Sequence, residues 1–161
     1  MKKIFFISAL TILAFFITSC SGYKPIFGSS NIKFEIIDFE IEGDSEIGNR
    51  IYSKFKNLSK QNKQEENSRE IRILINVTKS KNATTKNSAG KILEYKIILN
   101  TEVVIRDYVG NNILLNQNLS SSSSYKVQDQ YFETVKLEKK SIDNLIEKTY
   151  QDILVKLSQT M

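Results

Sequence analysis

Apolar and polar residues alternate along residues 32–41, which predicts a half-buried first strand. The alternation slips by one residue near Ile37, so that Phe34 before the slip and Phe39 after it face the same side. Because an extra residue in one strand produces such a slip, the pattern indicates a β-bulge.

The next apolar residues recur at helical spacing. Residues 43–46 (GDSE) supply turn and N-cap chemistry, after which the helix should begin. The apolar positions that follow lie on one face of an amphipathic helix; they are Ile47, Ile51, Phe55 and Leu58. We expect this helix to fade into the polar loop of residues 61–67.

Three strands are predicted after this loop. The first alternates Ile71, Ile73, Ile75 and Val77 with polar or outward residues, and the second covers residues 92–107. A turn at residues 107–112 (DYVGNN) leads into a third strand, from residue 113 to about residue 127. We interpret the serine run at residues 120–124 as the exposed polar end of this third strand.

The last 30 residues show a helical stripe made by Ile142, Leu145, Ile146 and Ile153. The helix should start near Gln128 or Asp129, and its polar first half leaves room for a break. The predicted order is strand, helix, three strands, helix. An α+β two-layer sandwich, with both helices on one face of a four-stranded, mostly antiparallel sheet, would bury both stripes in one core.

The N-terminus has the layout of a lipoprotein signal peptide. Two lysines precede an apolar run over residues 4–17, which is shorter than a stable membrane span. The run ends in ITSC (residues 17–20), a lipobox that predicts cleavage between Ser19 and Cys20 and acylation of the cysteine. The alternatives are an uncleaved membrane anchor, or an ordinary signal peptide with a chance cysteine. Ser21, rather than Asp, favours sorting to the outer membrane.

We therefore predict three segments: a signal peptide at residues 1–19, a lipidated tether at residues 20–31, and one α/β domain at residues 32–161. Removal of the signal leaves 142 of 161 residues, enough for one core. The mature chain has 21 basic and 18 acidic residues, which does not suggest nucleic acid. The only cysteine is Cys20, so no disulfide is expected.

The inventory of side chains argues against an enzyme. The chain has no histidine for a catalytic triad or a metal site, and no phosphate-binding glycine motif. The carboxylates Glu133 and Glu138 are read as part of a solvated helix surface. We expect no catalytic residue, no metal and no cofactor.

A cluster of lysines is the remaining candidate for a binding site. Lys79, Lys81, Lys86 and Lys91 occur between Val77 and Leu93 with no acidic residue among them. They would lie in a flexible loop at the tip of a hairpin, where ammonium groups could bind the phosphates of lipopolysaccharide. The alternative is a solvated loop in a lysine-rich protein.

Two motifs resemble the lipopolysaccharide-assembly lipoprotein family LptE. CSGYKPIFG (residues 20–28) is similar to the start of the mature chain in one branch of that family. SYKVQDQY (residues 124–131) is similar to its last strand-to-helix junction, and the order of strands and helices agrees. The chain departs from the family pattern at Ser21, and at Phe132 and Lys136, where small residues are usual.

The resemblance implies a two-layer sandwich inside the lumen of a large outer-membrane β-barrel, LptD. There it would act as a plug and assembly partner, anchored on the periplasmic side, and would bind lipopolysaccharide during its insertion. The alternative function is a lipoprotein adaptor or activator of a periplasmic enzyme or transporter. The short tether favours the barrel partner, because the domain must then work close to the membrane.

Overall fold

Four strands and two helices make up the described part of the chain, which is residues 33–62 and 68–160 of a computed structural model. In chain order they are β1 (Phe34–Gly43), α1 (Ser45–Asn62), β2 (Arg69–Lys86), β3 (Ile92–Asp107), β4 (Ile113–Lys126) and α2 (Tyr131–Ser158). This is the predicted order. The predicted signal peptide, cleavage site, Cys20 and tether lie outside the described residues.

The strands form one sheet in the order β1-β2-β3-β4. β1 is parallel to β2, whereas β2–β3 and β3–β4 are antiparallel, so the mostly antiparallel sheet is confirmed. The near end of the sheet holds Lys33, the start of β2 and the turn between β3 and β4. The far end holds the turn at residues 87–91 and the start of α2.

β1 pairs with only the near half of β2, because the chain leaves the sheet at Gly43. Gly43 has a φ of 74°, a conformation that favours glycine. The next residue, Asp44, donates its backbone N–H to Val77 O at 2.7 Å and accepts the N–H of Ile47 on its side chain at 3.1 Å. Asp44 therefore caps α1, as the sequence predicted.

The predicted bulge in β1 is confirmed. Ile36 pairs with Ile71 and Asp38 pairs with Arg72, which leaves Ile37 as the extra residue. The Ile36 N–H is bonded to the hydroxyl of Ser59 on α1, at 3.2 Å. A hydroxyl on the crossing helix thus satisfies a backbone donor beside the bulge.

Both helices pack on the same face of the sheet. The predicted stripe of α1 is buried, and so are the alternating residues of β2 and the face of β3 from Ile97 to Ile105. The two helices also contact each other: Phe55 packs edge-on against Tyr150, with 4.9 Å between ring centroids, and Arg50 pairs with Asp143. These contacts close one core between the sheet and the two helices.

The C-terminal helix is continuous over 28 residues, or about 42 Å. It begins at Tyr131 with Gln130 at the cap position, slightly later than the predicted start at Gln128 or Asp129. The polar first half contains no break, because Thr134 and Ser141 are buried against the far half of the sheet. In the first half of the helix, small polar side chains therefore occupy the buried positions that Ile and Leu occupy in the second half.

The serine run is part of β4, as predicted, but it is not wholly exposed. Ser121 is buried and Ser123 half-buried, while Ser120, Ser122 and Ser124 are exposed. Ser121 pairs with Leu99 on the face that α2 covers. A small side chain at this position leaves room for the helix to approach the strand.

Candidate functional site

The four lysines predicted as a loop lie on the far half of β2 and in the turn that follows. Lys79, Lys81 and Lys86 belong to the strand, and only Lys91 lies in the turn. The prediction of a flexible loop over residues 78–91 is therefore wrong. This segment has no apolar stripe, and it is a strand because it pairs with residues 92–100 of β3.

Lys81 is held by three side chains from the sheet and α2. Its Nζ lies 2.5 Å from Glu138 Oε2 and 4.5 Å from the centre of the Tyr95 ring. The hydroxyl of Tyr125 donates to the same carboxylate oxygen at 2.9 Å. The sequence indicated that Glu138 lies on a solvated helix surface. In the structure its carboxylate instead joins side chains of β2 and β4 to α2.

This cluster shifts the pKa of each member. Burial alone would lower the pKa of Lys81, but its bonds to Glu138 and Tyr125 raise it above the ordinary value. Burial would raise the pKa of Glu138, yet the bonds from Lys81 and Tyr125 lower it overall. Burial raises the pKa of Tyr125. The cluster is therefore an ion pair with a neutral tyrosine at neutral pH, and it holds no free acid or base.

Lys79 is also engaged in the fold. Its Nζ lies 3.2 Å from Oδ2 of Asp44, the residue that caps α1. Burial would raise the pKa of Asp44, but the bonds from the Ile47 backbone and from Lys79 lower it overall. Lys79 therefore ties the strand to the start of α1.

Lys86 and Lys91 differ from the first two lysines. All four lysines are exposed, but Lys86 and Lys91 make no ion pair with any residue that the structure describes. The turn between them is ordered by Asn87, whose side-chain oxygen accepts the N–H of Ala89 at 3.0 Å and of Lys91 at 2.9 Å. Of the four candidate lysines, these two are the ones without an ion pair among the described residues.

Two aromatic residues at the same end were not singled out as a candidate site by the sequence analysis. Tyr131 and Phe132 open α2, and their side chains are 83% and 70% exposed. The available signal was a pair of adjacent aromatics in an otherwise polar stretch. The far end therefore combines free cations with exposed apolar rings.

Among residues 33–62 and 68–160, neither helix covers the opposite face of the sheet. Its middle rows carry amide and hydroxyl side chains, and Ser120 donates to Asn100 Oδ1 at 2.7 Å. A shallow depression crosses these rows, lined by Asn76, Thr78, Asn100, Glu102, Asn118 and Ser120 among others. Glu102 is the one charged residue in that lining, and the other side chains named here are neutral amides and hydroxyls.

Within residues 33–62 and 68–160, no three His, Cys, Asp or Glu side chains are grouped so that they could hold a metal ion. In the same part of the chain, neither helix is long and apolar enough to cross a membrane.

Comparisons with known proteins found matches among solved structures. No protein-family model matches the sequence, and no curated protein matches it. The fold is similar to that of lipoprotein B from Nitrosomonas europaea, a protein of uncharacterised function (TM-score 0.54, 18% identity, 83% of this chain and 88% of that one).

Two further solved structures are similar. One is a candidate lipoprotein from Caulobacter crescentus (TM-score 0.53, 12% identity, 77% of this chain and 88% of that one). The other is a minor lipoprotein from Acinetobacter baumannii (TM-score 0.52, 15% identity, 80% of this chain and 93% of that one). At these identities the likeness establishes a shared fold across most of each chain.

Proposed function

We propose that the protein is an outer-membrane lipoprotein, acylated on Cys20 and held on the periplasmic side, that acts in lipopolysaccharide assembly. In this role it is the plug and assembly partner of an LptD-like β-barrel. The observation that carries the proposal is the fold, which also occurs in three lipoproteins of other bacteria. The lipobox at residues 17–20 and the motif at residues 20–28 point the same way.

The uncovered face of the sheet supports the plug. Large barrels that span the outer membrane have polar interiors, so a plug needs polar side chains on the surface that meets the barrel wall. The rows that contain Asn76, Asn100, Asn118 and Ser120 have this chemistry. A surface of amides and hydroxyls can exchange hydrogen bonds with a hydrated lumen at little desolvation cost.

The far end supports binding of lipopolysaccharide, which is an anionic amphiphile. Lys86 and Lys91 offer two cations that no described carboxylate neutralises, and Tyr131 and Phe132 offer apolar area at the same end. Phosphate groups would bind the ammonium groups, and acyl chains would contact the rings.

The first experiment is a pull-down of the tagged protein from detergent-solubilised outer membranes, beside the Cys20→Ser variant. We expect a large β-barrel to co-purify with the native protein, and mass spectrometry to find acyl groups on Cys20. A periplasmic enzyme or an inner-membrane transporter in place of the barrel would support the adaptor function. A native chain without acyl groups would contradict the anchor.

The second experiment measures lipopolysaccharide binding by purified protein. The double variant K86E/K91E should bind at least about tenfold more weakly, because each lost charge-assisted contact is worth roughly 1.5–3 kcal/mol. The control is K60E/K148E, which makes the same change of charge at exposed positions elsewhere. Equal weakening in both double variants would mean that only net charge matters.

A further inference from the structure

The two edges of the sheet differ in how they are protected against pairing with another strand. β1 forms the near half of one edge, where it carries the bulge at Ile37 and has its Ile36 N–H bonded to Ser59 of α1 at 3.2 Å. β4 forms the whole of the other edge over 14 residues, and its register shifts only at its start, near Ile113. Short strands, bulges and covered backbone groups are means by which proteins prevent an edge from pairing. β1 has these features, whereas most of β4 has none of them.

Lysines protect the far half of the first edge, where β2 continues beyond β1. Val77 O accepts the Asp44 N–H on the β1 side, so the odd-numbered residues of β2 direct their backbone groups to that side. Beyond Val77 these residues are Lys79, Lys81 and Ala83, after which the register shifts. Lysine on an edge strand hinders the approach of another strand.

No charge protects the outer side of β4. Val127, which follows β4, donates its N–H to Leu93 O at 2.8 Å, so the odd-numbered residues of β4 direct their backbone groups towards β3. The outward-directed N–H and C=O groups between residues 116 and 124 belong to Asn116, Asn118, Ser120, Ser122 and Ser124. The chain has no charged residue and no proline between Ile113 and Tyr125. Within the described residues no strand pairs with this side, so β4 is an unprotected edge.

The position of α2 argues against a second copy of this chain as the partner of the β4 edge. α2 packs mainly on β4 and less on β3. In a twofold pair of copies the two β4 strands would be antiparallel, and both α2 helices would lie on the same face of the joined sheet. Neighbouring strands are about 5 Å apart, whereas the axes of packed helices need roughly 8–10 Å. The two helices would therefore collide, whereas a single extended segment without a helix fits.

We propose that the outer side of β4 binds one extended segment of the β-barrel partner, which becomes a fifth strand of the sheet. This inference rests on the proposed function and names one of the contacts with the barrel. Every strand of a closed barrel is already paired on both sides. The added strand therefore comes from outside the barrel wall, from a loop or terminus that enters the lumen. Its backbone would pair with the outward-directed groups of β4, and uncharged polar side chains would fit beside the amides and hydroxyls of Asn116, Asn118 and Ser120.

The first test repeats the pull-down from solubilised outer membranes with three variants. Ser122→Pro removes one outward N–H of β4 and leaves the hydrogen bonds to β3 in place. Ser122→Ala removes the same hydroxyl but keeps the N–H. Ala83→Pro removes an outward N–H at the edge that lysines protect. We expect S122P to recover about tenfold less of the barrel, because proline lacks the donor and its ring blocks the approaching strand, and the two controls to recover the native amount.

The second test is photo-cross-linking in cells, which leaves the backbone of β4 intact. The photoreactive residue p-benzoylphenylalanine is incorporated at Ser122 or at Ser80. Both serines are exposed, and both pair with Ile98, one from each side, so the two probes lie in one row of the sheet and differ in the edge they occupy. We expect the probe at position 122 to form an adduct with one short peptide of the barrel, identified by mass spectrometry. That peptide should be absent from the adducts formed at position 80.

Each outcome supports or overturns the added strand. Circular dichroism and thermal unfolding check the fold of each variant, and if S122P does not fold, the cross-link alone decides. Native recovery of the barrel by folded S122P would overturn the inference and leave the plug function standing. An adduct at position 122 with a second copy, or with residues 20–32 of the same chain, would also overturn it, as would the absence of a barrel adduct there. If no barrel co-purifies with the native protein, the proposed function fails and this occupant fails with it.

Discussion

Lys81 and Glu138 meet across 57 residues of sequence, with 2.5 Å between Nζ and Oε2, and fasten the first half of the last helix to the second strand. This half of α2 has few apolar residues to bury, and α1 does not extend beside it. The ion pair and the hydrogen bond from the Tyr125 hydroxyl therefore hold this half of α2 on the sheet. At the near end, apolar packing does so.

A double-mutant cycle measures this link. We expect K81M and E138Q each to lower the free energy of unfolding, with a coupling energy of about 1 kcal/mol, because the pair is partly exposed but shared with a hydrogen bond. Urea denaturation of both single variants and the double variant gives the value. Additive losses would mean that the two residues act independently.

The same cluster predicts a dependence of stability on pH. The folded state lowers the pKa of Glu138 below its ordinary value of 4.5, so its contribution is present above that pH and is lost as pH falls through the folded pKa. The difference in unfolding free energy between the native chain and E138Q should therefore shrink on acidification below 4.5. Urea curves at neutral pH and at successively lower pH values provide the comparison. A difference that stays constant over this range would contradict the assignment.

Among the described glycines, Gly43 leaves the least space for a Cβ atom. A Cβ at residue 43 would lie 2.1 Å from Val77 O, and the φ of 74° is strained for alanine as well. Gly90 has a similar φ of 81° but open space around it, so G90A measures the strain alone, about 1–2 kcal/mol. We expect G43A to exceed that loss by at least about 1 kcal/mol in thermal or urea unfolding. Equal losses of stability in G43A and G90A would show that the Val77 carbonyl moves aside at no cost.

Ser121 tests how closely α2 approaches β4. S121L should lower stability by about 1–3 kcal/mol, because the added side chain has no space under the helix. S122L, one residue along the same strand, points to solvent and should change stability by less than about 0.5 kcal/mol. The contrast is measured by urea unfolding of the two variants. Comparable effects would mean that the helix is not held at its observed distance.

The elements that carry an apolar period could be predicted from the sequence. Ile47, Ile51 and Phe55 repeat at the helical spacing, and Ile71 and Ile73 alternate, so each element could be identified within a short window. The bulge at residue 37 and the cap at residue 44 were also local signals. Burial of periodic stripes then left few ways to combine two helices with one sheet.

The structure of the far end could not be predicted from the sequence, because it depends on contacts between distant segments. The segment of β2 after Val77 has no apolar period, and it is a strand because β3 supplies its hydrogen-bonding partners. In the sequence, Lys81 and Glu138 each look like solvated charges. In the fold, α2 packs on β4 and β3, and Lys81 on the neighbouring β2 reaches its Glu138. Burial of Ser121 likewise depends on what lies above it. Periodicity shows which face of a segment is apolar. The partner of a polar side chain, by contrast, lies tens of residues away in the sequence, so it is identified only once the chain is folded.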